Sequence, residues 1–185
     1  MKISGKKVAI LATHGFEQSE LEVPRDKLKA AGATVHIVSP EKGEIKCWDK
    51  KDWGRPVKVD RHLGDVSIVE YDAIVLPGGQ INPDLLRVNA DALEFIRGFF
   101  DQKKVVAAVC HAPWLLIETG LAKGRKMTSY KSIKTDVINA GAKWEDASVV
   151  TDNGVITSRN PGDLEDFSAK IIEEVREGRH SRRAA

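Results

Sequence analysis

Val105–Gly120 reads VVAAVCHAPWLLIETG. The run Val105–Val109 is continuously apolar and β-branched enough to be a buried strand. Helix signals follow at once, over Trp114–Glu118, and Gly120 stops them. Cys110 stands at the joint, with Ala108 and Ala112 two residues to either side. A sharp strand-to-helix turn crowds those two positions, so they must be small. This is the mechanical requirement of a nucleophile elbow, with cysteine in place of serine and alanine in place of glycine. The elbow is expected to lift the Cys110 side chain above a sheet. It is also expected to set it at a helix N-terminus, whose partial positive charge favours the thiolate. The competing reading is a small buried hydrophobe, since free cysteines are commonly buried.

Working outward, Lys7–Ala12 (KVAILA), Ala33–Val38 (ATVHIV) and Asp72–Leu76 (DAIVL) are further apolar strands. Leu21–Ala31 is a helix closed by Gly32, and Pro24 implies a late start or a kink. Ala90–Phe100, Ser132–Ala140 and Leu164–Glu177 carry apolar residues at helical spacing. In Gly43–Asp60, the pieces EIKCW and PVKVD flank the polar stretch DKKDWGR, which predicts a hairpin excursion on the sheet edge. Ser148–Thr151 and Val155–Ser158 surround Asn153-Gly154, a strong type I′ turn signal.

Continuously apolar strands alternating with helices imply a mostly parallel sheet buried on both faces, an α/β three-layer sandwich with right-handed crossovers. Ligands of such sheets bind beyond the carboxyl ends of the strands. Four strand ends qualify: the segment after Ala12, Pro77-Gly78-Gly79, Cys110-His111, and the loop after Ser158.

The 185 residues are 42% hydrophobic and 30% charged with both signs mixed, which excludes global disorder. One core suits this length, burying roughly 70% of the unfolded surface. No run approaches the roughly 18 apolar residues of a membrane helix, and MKISGKKVAI lacks the apolar stretch of a signal peptide. Two cysteines are too few for a disulfide scaffold. A cytoplasmic domain over residues 1–178 is expected, followed by a basic tail at 179–185. The net charge is +2, but the last ten residues hold four arginines and one glutamate, leaving a body of −1. Such a body is no nucleic-acid surface. The tail reads as a solvated terminus or a contact for an acidic partner.

Consecutive glycines in Pro77-Gly78-Gly79 leave backbone N–H groups unshielded. Beside Cys110, the amides of Gly79 and His111 could form an oxyanion hole; alone, the motif is a tight turn. No GxGxxG or GxxxxGK[ST] motif occurs, so no dinucleotide or nucleotide cofactor is implied. His14, His36, His62 and His180 lack metal-ligand spacing, so no metal is expected. Cys47 reads as a packing thiol, and a Cys47–Cys110 disulfide is disfavoured in the cytosol.

These residues together resemble the PfpI family of the class I glutamine-amidotransferase-like superfamily. The matching pieces are Gly15-Phe16-Glu17 with Glu20-Leu21, Ala73–Gly79, Val109–Pro113, Thr128-Ser129-Tyr130, Ile138–Gly141 and Ser158–Leu164, in the family's order. The resemblance implies a flavodoxin-like fold and a homodimer or higher homo-oligomer. It implies an intracellular protease, a general stress protein, or a glyoxalase or deglycase, acting on a small carbonyl compound or a protein or peptide. It assigns Cys110 as elbow nucleophile and His111 as its neighbouring base. Glu17 corresponds to the acid that points at the sulfur. The glutamate that a second subunit usually contributes falls at Pro83-Asp84, so an aspartate of shorter reach stands there. Gly78, Tyr130 and Arg159 are the substrate-binding candidates. For Tyr130 the alternative is packing, and for Arg159 a bridge to a structural carboxylate. The competing function is an oxidative-stress sensor or holdase chaperone, with an oxidisable Cys110 and little turnover.

Overall fold

Alternation along each strand divides the core into two halves. Val8 and Ile10 face one side of the sheet, Ala9 and Leu11 the other; Ala73 and Val75 oppose Ile74 and Leu76; Val105, Ala107 and Val109 oppose Val106 and Ala108. Both sides are buried, which is why these strands read as unbroken apolar runs. A computed structural model describes residues 1–178 of the chain. The basic tail expected at 179–185 lies outside the described residues.

The chain begins with β1 (Lys7–Leu11), α1 (Gln18–Ala30) and β2 (Thr34–Ser39), then forms β3 (Glu44–Asp49), β4 (Asp52–Lys58) and the short β5 (Arg61–His62). It continues through β6 (Ala73–Leu76), α2 (Ile81–Leu86), α3 (Ala90–Asp101), β7 (Val105–Val109) and α4 (Pro113–Glu118). β8 (Lys126–Met127), α5 (Lys134–Asn139), β9 (Lys143–Trp144), β10 (Val150–Asp152), β11 (Val155–Ser158) and α6 (Leu164–Glu177) complete it. The main sheet has the order β10-β11-β7-β6-β1-β2-β5, and only the β10–β11 pairing is antiparallel. Leu21 and Leu28 of α1 and Phe167, Ile171 and Val175 of α6 cover one face. Phe95, Ile96 and Phe99 of α3, with Leu115 and Leu116 of α4 and Val137 of α5, cover the other. Each of these fully buried large side chains contributes roughly 1.5–3 kcal/mol of transfer free energy. The architecture is the expected three-layer, mostly parallel α/β sandwich.

Three local expectations change. The β3–β4 hairpin forms its own two-stranded sheet instead of extending the main sheet, whose edge beyond β2 is taken by β5. Its turn is confined to Lys50 and Lys51, with Lys50 at φ +57, so most of the polar stretch belongs to β4. The edge-to-face pair of Trp48 and Trp53, centroids 5.6 Å apart, replaces polarity as the determinant there. α1 starts at Gln18 and runs through Pro24. Pro24 withholds the N–H that would bond the Glu20 carbonyl one turn earlier. The Asn153-Gly154 turn has φ of +50 and +78, as a type I′ turn requires.

The hairpin is tied to the loop after β1: Trp48 N–H donates to the Phe16 carbonyl and Gly15 N–H to that of Lys46, each at 2.8 Å. A second tie joins that loop to the Pro77-Gly78-Gly79 turn. Fully buried Asn82 of α2 accepts from Thr13 N–H at 2.7 Å and donates to the Pro77 carbonyl at 2.8 Å. Asn82→Ala leaves both backbone groups buried and unpaired, at about 1–3 kcal/mol each. The variant should lose about 3 kcal/mol of stability and melt several degrees lower; a melting temperature equal to wild type contradicts this role of Asn82.

Candidate active site

β7 ends at Val109, and Cys110 turns the chain with φ +63. Left-handed backbone is strained in a non-glycine residue, so surrounding bonds must fix it. They do: Cys110 N–H donates to the Ser158 carbonyl at 3.0 Å, and the Cys110 carbonyl accepts from Tyr130 N–H at 2.8 Å. Ala108 and Ala112 are completely buried, as the crowding of the turn demands. The elbow therefore forms where the sequence places it.

The Cys110 side chain is only 6% exposed. Its Sγ lies 3.1 Å from His111 Nδ1, and His111 Nε2 lies 3.1 Å from Ser132 Oγ. The His111 ring stacks on Tyr130 (centroids 4.7 Å, planes at 25°) and meets Trp114 edge-on. Burial lowers the His111 pKa below its ordinary value, so the ring is neutral at pH 7 and free to accept a proton. The backbone N–H groups of Gly79 and His111, the pair expected to form an oxyanion hole, both act on the sulfur, favouring its charged form.

The acid against the sulfur is Glu20, not Glu17. Glu20 is fully buried, accepts from Gly78 N–H at 2.8 Å through Oε2, and interacts with the Cys110 side chain. Burial pushes its pKa up to about 8, against the pull of the Cys110 and Gly78 bonds. The Cys110 thiol is raised as well, by burial first and then by the charge and hydrogen bond of Glu20; the Gly79 and His111 amides only partly offset this. Burial and Glu20 therefore both oppose the thiolate expected at a helix N-terminus. α4 begins three residues after Cys110, too far to overcome that desolvation.

Glu17 sits just before α1, on the wall of the same cavity. Burial and the charge of Asp49 raise its pKa, while the Lys50 backbone N–H and the Lys50 charge lower it. Gly78 also changes role: its amide serves Glu20 rather than a substrate. A β-carbon at Gly78 would lie 2.6 Å from Glu20 Oε2 and 2.8 Å from Cys110 Cβ, so only glycine fits. Gly79, at φ +76, similarly has no room beside Gly15 and Glu17.

The cavity over the sulfur encloses about 530 Å³. Tyr130 lines it, as expected; Trp48 and Lys50 of the hairpin and Ile81 of α2 also form its walls. Arg159 does not reach it. Its guanidinium is bound to Asp163 at 2.9 Å and Asp146 at 2.7 Å, the structural-bridge alternative. Asp84 is exposed on α2, and its carboxylate makes no hydrogen bond to His111 among the described residues. No group of three or more His, Cys, Asp or Glu among the described residues could hold a metal ion. No helix among them is long and apolar enough to cross a membrane.

Trp48, Lys50, Ser132 and Asn82 escape sequence reasoning, because hairpin contact and loop bonding bring them in. Glu20 carries a signal: it falls on the same face as Leu21, Pro24 and Leu28, all buried, and a carboxyl on an apolar stripe calls for a partner.

Comparison with known proteins agrees with this geometry. Residues 6–174 match the model of the DJ-1/PfpI family. The chain is 45% identical over 158 residues to Deglycase PfpI of Pyrococcus furiosus, covering 85% of this chain and 92% of that protein. It is 42% identical over 167 residues to YraA of Bacillus subtilis, named as a candidate cysteine protease, covering 90% and 96%. The crystal structure of Drosophila melanogaster DJ-1beta superposes with a TM-score of 0.84 at 30% identity, covering 95% of each chain. Both curated relatives carry enzyme names, and with the matched family and the shared fold they establish that this chain belongs to the DJ-1/PfpI family as an enzyme of the PfpI type.

Proposed function

We propose that the chain is a cytoplasmic stress-response enzyme of the deglycase and glyoxalase kind, using Cys110 on carbonyl carbon. The observation that carries this reading is the convergence on one sulfur of His111 Nδ1, the Glu20 carboxyl and two backbone amides, at the floor of a cavity. The thiol adds to a carbonyl held above it. A carbon–sulfur bond forms as the S–H bond breaks, and neutral His111 takes the proton. The developing oxyanion draws on the Gly79 and His111 amides, freed from the sulfur as its lone pair goes into the bond to carbon. Proton return from His111 to that oxygen gives a hemithioacetal. In an α-oxoaldehyde, moving the remaining carbon-bound hydrogen as a proton to the neighbouring carbonyl carbon, while the hydroxyl proton passes to the oxygen on that carbon, gives the thioester of a 2-hydroxy acid. Water then cleaves the thioester to a hydroxy acid and restores the thiol. A peptide amide would instead give a thioester directly, with an amine leaving.

The burial of Cys110 supports turnover over the sensor reading. Sensor cysteines are exposed and of low pKa, so that thiolate meets peroxide freely. Cys110 is buried and burial disfavours its charged form, so in this reading a bound substrate and His111 together draw off its proton.

The reading extends to a homodimer in which Asp84 from a second copy orients His111. Ile81 and Leu85 of α2 and Val88 in the turn after it are 37%, 48% and 83% exposed and lie around Asp84 in sequence, which supports a partner at this edge of the cavity. Light scattering should give a dimer, and Asp84→Asn should lower kcat about tenfold, less than the roughly 100- to 10,000-fold that a general acid or base itself contributes, because Asp84 only orients it; a strict monomer with full activity contradicts the role.

Two experiments test the thiol chemistry. Cys110→Ser should abolish methylglyoxal consumption with the fold intact by circular dichroism; unchanged consumption ends the reading. Glu20 binds its proton more tightly in the folded chain than in the unfolded one, with a pKa of about 8 against 4.5. The unfolded state therefore releases that proton first, and stability falls as pH rises from about 4.5 to about 8. The melting temperature of Glu20→Gln should be flatter across that window than that of wild type; identical slopes contradict a protonated Glu20.

A further inference from the structure

The cavity over Cys110 has a neighbour that the reaction above leaves unused. This second cavity, about 490 Å³, is lined by Lys131, Lys134, Trp144 and Asn160. The two meet at two points. Tyr130 lines both, and Pro161 of the first is bonded in sequence to Asn160 of the second. One face of Tyr130 packs on His111, so the ring that borders the second cavity also borders the reacting centre.

The charge there is asymmetric. Arg159, also on its wall, is engaged by Asp163 and Asp146. Lys134 Nζ lies over the Trp144 ring, 4.5 Å from its centroid. Neither Lys134 nor Lys131 has a carboxylate within ion-pair distance among the described residues. Two lysines against one net negative charge from the Arg159 cluster leave the cavity positive. Arg159, the group that would grip a phosphate in two-pronged fashion, is occupied, and Asp146 repels a dianion more than a monoanion. Lysine point charges with an aromatic wall suit a single carboxylate on a short apolar stem.

We propose that this second cavity is a subsite for an acidic side chain adjacent to the reacting group of a peptide-borne substrate. The proposal rests on the reading that the first cavity takes a carbonyl adduct. A free dicarbonyl fills a small part of that cavity alone, whereas the two cavities together match a modified side chain and its neighbour.

The test uses the full chain and labelled tetrapeptides containing arginine with glutamate or glutamine beside it, followed by fluorescence anisotropy. Wild type should bind the glutamate peptide about fivefold more tightly, as for two exposed charge pairs. The preference should vanish in a Lys131→Ala/Lys134→Ala double variant and in high salt. Methylglyoxal consumption by that variant should equal wild type, which also reports its fold. Equal affinity for both peptides, or a preference that survives the double substitution, overturns the subsite. Wild type that shows the glutamate preference but consumes no methylglyoxal upholds the subsite and removes only the carbonyl reading.

Discussion

A carboxyl and a thiol share one dry pocket beneath a glycine turn, and they cannot both be charged. Glu20 and Cys110 are each almost wholly removed from solvent; burial raises both, Glu20 raises the thiol further, and the bond from Cys110 draws Glu20 part of the way back down. Such a pair titrates as a unit, and the first proton lost leaves a single negative charge to be divided between oxygen and sulfur. Bonds from Gly79 and His111 amides favour the sulfur; the bond from Gly78 favours the carboxylate. The thiol is raised further than the carboxyl, so that charge rests first on Glu20, and a substrate carbonyl placed over the sulfur shifts it by consuming the nucleophile.

The rest of the molecule keeps that pair in register. The Cys110 backbone is strained, and bonds from Ser158 and Tyr130 hold it. Gly78 lets the turn approach to within contact of both partners, where any side chain would collide. Asn82 ties that turn to the loop after β1, and the hairpin closes the opposite wall through Phe16 and Gly15. Pro24 leaves the Glu20 carbonyl without its helical partner, so α1 is locally loosened at the residue that serves the site. A parallel sheet supplies the platform because β1, β6 and β7 lie side by side and all end at this edge.

Periodicity carries the sheet, because burial on both faces imposes a continuous apolar run that a single chain displays openly. The elbow is legible for the same reason: the strand, the two alanines and the cysteine are neighbours in sequence. The acid is harder. Glu17 precedes the helix and Glu20 lies one turn inside it, and only helix rotation decides which faces the sulfur. Once α1 starts at Gln18, Glu20 joins Leu21, Pro24 and Leu28 on the buried face and Glu17 stays at the rim. The hairpin walls depend on contacts some thirty residues apart, such as that of Trp48 with Phe16, which no local pattern encodes. Arg159 shows the opposite case: its structural bridge is to Asp163, only four residues on and within reach of local sequence.

The protonation of Glu20 is the point on which the chemistry turns, and infrared difference spectroscopy reads it directly. Wild type minus Glu20→Gln at neutral pH should show the carbonyl stretch of a protonated carboxylic acid in a dry environment, disappearing as the pH passes about 8. A carboxylate signature at neutral pH, with the acid band appearing only near the ordinary value of 4.5, would contradict the account.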